Sequence, residues 1–153
     1  MSKQIYAENA AKTGGWEGFR KFKVARKEVE STIITSFYLK PDDSGSLPDF
    51  LPGQYITVRM PTPDGSTTMR NYSLSDEPGK DYFRISVKKE TGADADTPKG
   101  YVSNKLHNEK NVGDSLEIGP PCGEFFLNTQ DRHERPLVLL AAGIGITPIL
   151  SIL

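Results

Sequence analysis

Short β-strand patterns separated by turn residues are the feature that most limits what this chain can fold into. From Phe83 to Lys88, apolar residues alternate strictly with charged or polar ones. Such alternation is typical of a strand with one face on a core and the other face in solvent. The 14 glycines and 11 prolines of the 153 residues indicate many turns between short elements. The sequence therefore predicts a domain built mainly from strands.

Further strand patterns follow from residue 19 onward, each bounded by turn clusters. The predicted strands are Phe19–Val24, Ile33–Leu39, Gln54–Met60, a strand through Arg70–Ser73, the Phe83–Lys88 strand, Leu116–Ile118 and Phe125–Leu127. One helix is predicted in this region, over Gly100–His107. Six or more closely spaced strands with one short helix favour an all-β fold, a closed or nearly closed antiparallel barrel.

The two ends of the chain differ from this middle region, which predicts a division into segments 1–15, 16–134 and 135–153. Met1–Thr13 is alanine-rich and charged and breaks at two glycines. We interpret it as the end of an upstream helix with a linker; a disordered terminus is the alternative.

At the other end, Leu137–Ala141 is continuously apolar, which is typical of a strand buried on both faces of a parallel sheet. A glycine turn and a second helix follow, with Thr147 as the expected N-cap and Pro148 as the expected first helical residue. We interpret this as the truncated start of an α/β nucleotide-binding domain. Without its sheet, the strand is expected to pack abnormally, to be disordered or to mediate association.

Composition excludes several classes of function. Lys and Arg number 19 against 20 for Asp and Glu, so there is no basic stripe of the kind that nucleic acid requires. No apolar run approaches the ~20 residues of a membrane span, and no signal peptide is apparent. The single cysteine, Cys122, excludes an internal disulfide and is interpreted as a small buried residue. A cytoplasmic protein is predicted, and His107 and His133 lack the companions of a metal site.

The run Arg70-Asn71-Tyr72-Ser73 carries the strongest chemical signal. A guanidinium can bind a pyrophosphate, a phenol ring can pack on an apolar tricycle, and hydroxyls can bond a polar edge, so the run suits a flavin nucleotide. The alternative is an ordinary half-buried strand with a surface arginine. The period of two places Arg70 and Tyr72 on one face and Ser73 on the other. For Ser73 to reach the same ligand, the strand must twist or end there.

One tyrosine and one lysine near this strand are candidate ligand contacts, and each has an alternative interpretation. Tyr55 follows the Pro52-Gly53 turn and is either a contact to a planar ligand or a tyrosine of the core or rim. Lys88 ends the alternating strand and is either a ligand contact or a solvated lysine at a sheet edge.

Two glycine-containing turns offer places for phosphates. The turn Gly100–Ser103 opens a predicted helix, whose free N–H groups and positive dipole end suit a pyrophosphate. Ser103 is either a hydroxyl contact or an N-cap. The turn Gly143–Pro148 suits a dinucleotide phosphate, although Pro148 replaces the third glycine of the usual fingerprint. A tight βα turn without ligand is the alternative.

Taken in order along the chain, these motifs resemble the ferredoxin-reductase-like flavoenzymes, and in particular the flavohaemoglobins, which are nitric oxide dioxygenases. The residues that carry the resemblance are Pro52–Tyr55, Arg70–Ser73, Ile85–Lys88, Gly100–His107, Pro120–Leu127 and Gly143–Pro148, with Gln4–Ala10 and Gly14–Gly18 matching the globin junction.

The resemblance implies a six-stranded Greek-key barrel that holds FAD. By resemblance, Arg70 contacts the pyrophosphate, Tyr72 lies against the flavin and ribityl, and Ser73 approaches the reactive N5 side. Tyr72 and Ser73 are thus the implied catalytic residues, and Tyr55 borders the flavin. The implied cofactor-binding set is completed by Asn71, Lys88, Val102 and Ser103 for FAD and, for NAD(P)H, by Gly143, Ile144, Gly145, Ile146, Thr147 and Pro148.

The resemblance also implies an activity. In the family, electrons pass from NAD(P)H through FAD to a globin haem, where nitric oxide and oxygen become nitrate. This chain has no globin body and only the start of an NAD(P)H domain, so it is expected to bind FAD without turning over nitric oxide. The alternatives are the reductase component of an oxygenase, a stand-alone flavin reductase, or a barrel used as a binding module.

Overall fold

The computed structural model describes residues 15–92, 99–127 and 136–153. Six strands and two helices form in these ranges. The strands are β1 (Arg20–Val29), β2 (Ile34–Pro41), β3 (Tyr55–Pro61), β4 (Thr67–Ser73), β5 (Phe83–Lys88) and β6 (Ser115–Ile118). The helices are α1 (Tyr101–Glu109) and α2 (Ile146–Ile152), and a 3₁₀ turn, Gly143–Gly145, precedes α2.

The strands form one antiparallel sheet in the order β4-β3-β6-β1-β2-β5. The insertion of β6 between β1 and β3 is a Greek-key arrangement. The two outer strands, β4 and β5, meet at a single bridge between Leu74 and Ile85. The predicted six-stranded, nearly closed antiparallel barrel is confirmed.

Aromatic side chains from different strands fill the middle of the barrel. Phe22 and Phe83 are buried and stacked, with ring centroids 5.8 Å apart. Phe50 meets Phe83 edge-on at 5.9 Å, and Trp16 lies 5.5 Å from Phe22. Helix α1 adds the buried Leu106 to the same core. Such burial supplies most of the favourable free energy of folding.

The Pro52-Gly53 turn forms as predicted and places the start of β3. The amide of Gln54 donates to the carbonyl of Leu51 at 3.0 Å. Gly53 has a φ of 102°, in the region that favours glycine. A Cβ there would also lie 2.4 Å from the carbonyl oxygen of Phe125, so the close approach of the two segments needs glycine.

The predicted strand Phe125–Leu127 is wrong. Cys122 is buried and pairs with Tyr55 through two backbone hydrogen bonds of 2.9 Å, which is the only bridge in this segment. Gly123 then turns the chain with a φ of 119°. Phe125 and Phe126 are 63% and 40% exposed and lie outside regular structure. Their aromatic character favours a strand, but they find no pairing edge within the described residues.

The predicted strand Leu137–Ala141 is wrong as well. These residues have no regular structure, and Leu140 is 88% exposed. No parallel strand lies beside them in the described part of the chain, so their backbone has no ladder to join. Helix α2, in contrast, packs on the barrel, and the amide of Gly53 donates to the Ser151 hydroxyl at 2.8 Å.

The start of α2 also differs from the prediction. The N-cap is Gly145, and Thr147 lies inside the first turn. The Thr147 hydroxyl donates to the carbonyl of Ile144 at 3.0 Å and so does not cap an amide.

His107 links α1 to two strands and makes the stability of the fold pH-dependent. Its Nε2 donates to the carbonyl of Val87 at 2.8 Å, since a carbonyl only accepts, and its Nδ1 lies 3.3 Å from the Thr35 hydroxyl. Burial lowers the pKa of His107 below its usual value of 6.5. As the pH drops through 6.5, His107 of the unfolded chain takes up a proton while His107 of the folded chain stays neutral. The free energy of unfolding therefore decreases as the pH drops towards the folded-state pKa.

We expect the urea concentration at the midpoint of unfolding to decrease as the pH is lowered from about 7.5 to about 5.5. The decrease should be smaller in His107→Gln. An equal decrease of the urea midpoint with pH in the unsubstituted chain and in His107→Gln would contradict this role of His107.

Several predictions concern residues outside the described ranges. They are the Met1–Thr13 helix, most of the loop 90–99, His133, and the boundary between residues 134 and 135. The division into three segments therefore stays a prediction. Among the described residues, neither helix has the length and apolar composition to cross a membrane.

Candidate functional site

A cleft of about 430 Å³ lies between the barrel, the start of α1 and the start of α2. Its size is in the range of small-molecule sites in proteins. Eleven of the fourteen predicted cofactor-binding residues line it: Arg70, Asn71, Tyr72, Ser73, Lys88, Val102, Ser103, Ile144, Gly145, Thr147 and Pro148. Ser86, Glu90, Gly100 and Tyr101 complete the lining.

The guanidinium of Arg70 is exposed at the edge of this cleft and is available to an anion. It donates to the carbonyl of Met69 at 2.7 Å and to the Thr68 hydroxyl at 3.3 Å. No carboxylate within the described ranges pairs with it, whereas Arg20, Arg26, Arg59 and Arg84 each have an acidic partner. Most of its donors therefore remain for a ligand.

Tyr72 presents a neutral phenol to the cleft. Its ring packs against the core, and burial raises the pKa of Tyr72 to about 12, although Arg70 acts in the opposite direction. Its hydroxyl makes no hydrogen bond to the residues the structure describes. The ring therefore offers an apolar surface and the hydroxyl a free donor.

Ser73 lies at the point where β4 ends. The amide of the next residue, Leu74, donates to the carbonyl of Gln54, just before β3, at 2.9 Å, and Leu74 also bridges to Ile85 of β5. The strand thus ends at Ser73, which is one of the two ways, a twist or an end, by which Ser73 was predicted to reach the same ligand, and all four residues of the Arg70 run line one cleft. The Ser73 hydroxyl has no protein partner in the described part of the chain.

The second wall is formed by the end of β5 and the first turn of α1. Gly100 is the N-cap of α1, and the first turn contains no acidic residue to compete with an anion. Ser103 is not the cap. Its hydroxyl donates to the carbonyl of Gly100 at 3.0 Å and accepts from the amide of Glu90 at 3.2 Å. The backbone amides of the turn, more than this hydroxyl, are thus the groups left for a ligand.

Lys88 adds a second cation to this wall, although it is partly neutralised. Its Nζ lies 3.3 Å from Oε1 of Glu90, and both side chains are substantially exposed. Exposed pairs of this kind are weak, so an anionic ligand can compete for the lysine.

Three predicted residues do not line the cleft. Gly143 lies in the turn before α2, and Ile146 is the first residue of α2. Only their neighbours line the cleft and form its third wall: Ile144, Gly145, Thr147 and Pro148. Tyr55 is opposite Ser73 in the β3–β4 register, with its ring over Gly123. The Cys122 thiol beside the Tyr55 hydroxyl, together with burial, raises the pKa of Tyr55 to about 12.

Sequence reasoning missed Ser86 and Glu90 as site residues. The signal for Ser86 was present, because the period of two in β5 places it on the same face as Lys88. Because Arg84 and Lys88 occupy the same face, the pattern alone predicts that Ser86 is exposed to solvent. Its burial becomes apparent only when β4 is known to lie beside β5.

The arrangement fits a dinucleotide. An unpaired guanidinium and a helix N-terminus suit two phosphates, and a partly buried phenol ring and a free hydroxyl suit an aromatic ring system with polar edges. No cluster of metal-ligating side chains occurs among the described residues.

Comparisons with known proteins agree with this geometry. Residues 21–127 match the family described as the oxidoreductase FAD-binding domain. The chain is 52% identical over 147 residues to a flavohaemoprotein of Rhodopirellula baltica, covering 96% of this chain and 36% of that protein. The chain thus spans about a third of the length of the curated relatives it matches.

Solved structures show the same fold. The FAD/NAD-binding domain of a nitric oxide dioxygenase from Vibrio cholerae superposes with a TM-score of 0.77 at 41% identity, covering 87% of this chain and 54% of that one. A flavohaemoglobin from Malassezia yamatoensis, solved with FAD and haem, gives 0.76 at 26% identity, covering 96% and 36%. The barrel, the cleft at its β4–β5 seam and these matches together establish that the chain belongs to the oxidoreductase FAD-binding domain family.

Proposed function

We propose that this chain binds FAD in the cleft and is the flavin domain of a flavohaemoglobin-type nitric oxide dioxygenase. One observation carries the proposal. The unpaired Arg70, the phenol of Tyr72 and the hydroxyl of Ser73 line the same cleft as the uncapped N-terminus of α1. The sequence separates these groups by about thirty residues.

The phosphate end of FAD is assigned to Arg70 and the first turn of α1. Arg70 can bind phosphate oxygens through two parallel N–H groups, and the α1 amides add a positive dipole end. Lys88 lies on the same wall and contributes positive charge.

The flavin end is assigned to Tyr72 and Ser73. Tyr72 is neutral at physiological pH, as an unperturbed tyrosine is, and its raised pKa extends this to higher pH, so it can pack on an aromatic ring without bringing a charge to it. Ser73 adds a hydroxyl at the end of β4 that can orient the polar edge of the ring. When bound, FAD supplies the redox chemistry, while these residues bind and orient it.

In the whole protein we place this domain between an NAD(P)H domain and a globin haem, where nitric oxide and oxygen become nitrate. The names of the relatives support the haem partner. The third wall of the cleft, with Ile144, Gly145, Thr147 and Pro148, supports a nicotinamide nucleotide beside the flavin. A cytoplasmic location remains a prediction from composition.

Adding FAD to the purified chain tests the proposal. We expect the visible absorbance of the flavin to change and the chain to be stabilised by about 2.7 kcal/mol when free FAD is about 100 times Kd. For a chain of this size that corresponds to about 5–10 °C in Tm. An unchanged flavin spectrum together with an unchanged Tm would overturn FAD binding.

A further inference from the structure

A chain of three buried serine hydroxyls runs beside the cleft. Ser86 lines the cleft and is only 8% exposed. Its Oγ lies 2.8 Å from Oγ of Ser36 and 3.0 Å from Oγ of Ser75. Ser36 and Ser75 are themselves fully buried, so their hydroxyls depend on protein partners for hydrogen bonds.

Glu30 fixes one end of this chain. Its Oε1 accepts a hydrogen bond of 2.6 Å from the Ser36 hydroxyl and one of 2.7 Å from Nη2 of Arg84. These two hydrogen bonds lower the pKa of Glu30 below its usual value, so it is a carboxylate at neutral pH. An ionised carboxylate only accepts.

The Glu30 carboxylate orients the hydroxyls of Ser36 and Ser86, because each serine has one hydroxyl proton. The proton of Ser36 is donated to Glu30, so in the contact with Ser86 it must be Ser86 that donates. The proton of Ser86 is then used, so Ser86 can only accept from Ser75, whose hydroxyl also donates to the carbonyl of Arg84 at 3.3 Å. What Ser86 has left to offer the cleft is an acceptor lone pair.

Arg84 holds the two ends of the chain together. Its Nη2 donates to Glu30, and its Nη1 donates to the carbonyl of Ser75 at 3.1 Å. Arg84 thus ties the Glu30 carboxylate to the backbone of Ser75, and two hydrogen bonds hold that carboxylate in place.

The position of Ser86 selects one half of a dinucleotide. Leu74 and Ile85 form an antiparallel bridge, so the next pair along the two strands is Ser73 and Ser86. Ser86 therefore lies across the β4–β5 seam from Ser73. Phosphate oxygens at neutral pH are acceptors and cannot donate to an acceptor. An isoalloxazine N–H or a ribityl O–H can, as can the ribose and amino groups of the adenosine. The position across from Ser73, which is assigned to the flavin end, selects the flavin half.

We propose that Ser86 contacts bound FAD by accepting a hydrogen bond from a donor in its flavin and ribityl half. Glu30 and Ser36 are positioning residues that keep Ser86 an acceptor. The proposal rests on FAD binding in this cleft as stated above, and it adds a residue and a hydrogen-bond polarity to that site.

Ser86→Ala and Ser86→Thr test the contact, with FAD, FMN and ADP as probes. We expect Ser86→Ala to raise the Kd for FAD and for FMN about fivefold and to leave the Kd for ADP unchanged. Ser86→Thr keeps a hydroxyl and is expected to restore binding. Ser115→Ala, which removes an exposed strand serine of β6, is the matched control and should change none of the three.

The outcomes separate the two proposals. If the unsubstituted chain binds FAD and Ser86→Ala binds it equally well, the Ser86 contact is wrong. If ADP binding weakens equally, the assignment to the flavin half is wrong. If the unsubstituted chain does not bind FAD, the proposed function itself is wrong.

A double-substitution cycle tests the positioning role of Glu30. We expect Glu30→Ala to weaken FAD binding measurably, but no more than Ser86→Ala does, and the double variant to bind FAD as well as Ser86→Ala alone. Glu117→Ala is the control, since Glu117 likewise accepts two hydrogen bonds from one arginine, Arg59. It should lower Tm without changing Kd. Additive effects, or none from Glu30→Ala, would overturn the positioning role.

Discussion

Arg70→Ala is expected to weaken FAD binding about 10- to 150-fold, because charge-assisted hydrogen bonds of this kind contribute about 1.5–3 kcal/mol. Arg70 is the side chain in the cleft with a full positive charge and no acidic partner among the described residues. The loss should appear with FAD and with ADP, since both carry the pyrophosphate. Titration of each ligand into the purified variant measures it.

Two further substitutions make the Arg70 test specific. Arg70→Lys keeps the charge but loses the fork, so its Kd should lie between those of the unsubstituted chain and Arg70→Ala. Arg59→Ala removes an arginine that is paired with Glu117 away from the cleft, and it should leave Kd unchanged. Unaltered FAD affinity in Arg70→Ala would refute the pyrophosphate role.

Phe22→Ala is expected to lower the free energy of unfolding by about 3–5 kcal/mol, the usual cost of replacing a buried phenylalanine. Phe22 is fully buried and touches rings from two other segments, Trp16 and Phe83, so neighbouring side chains cannot collapse into the space without losing their own contacts. Because small domains have about 5–15 kcal/mol in total, this change removes much of the stability.

Urea unfolding followed by intrinsic fluorescence measures the Phe22 effect. Val29→Ala on the same strand is the matched control, because Val29 is mostly exposed and its loss should cost no more than about 0.5 kcal/mol. Equal losses for the two variants would show that Phe22 does not hold the barrel together.

The local pattern predicted most of the barrel because each strand buries one face on a shared core. Phe83, Ile85 and Val87 alternate with polar neighbours, and the structure buries all three. The same reasoning failed where an apolar run has no neighbour. Phe125–Leu127 and Leu137–Ala141 have strand-like composition, but a strand exists only when a second backbone accepts and donates its hydrogen bonds.

The candidate site shows the same division between local and long-range information. The run Arg70–Ser73 and the helix at Gly100 carry recognisable chemical groups, and eleven of the predicted residues line one cleft. Tyr55 carries an equally suggestive ring, yet Gly123 and Cys122 lie beside it and the cleft does not include it.

Local sequence accounts for the strand periods, the Pro52-Gly53 turn and the groups able to bind a flavin nucleotide, because these depend on residues close together in the chain. Long-range packing, in contrast, makes β4 end at Ser73 and brings the next residue, Leu74, to a bridge with β5. The same seam brings Ser86 to the cleft and links it to Glu30, over fifty positions away. Those facts depend on which strands become neighbours, and neighbours are chosen by packing of the whole barrel, which no local pattern encodes.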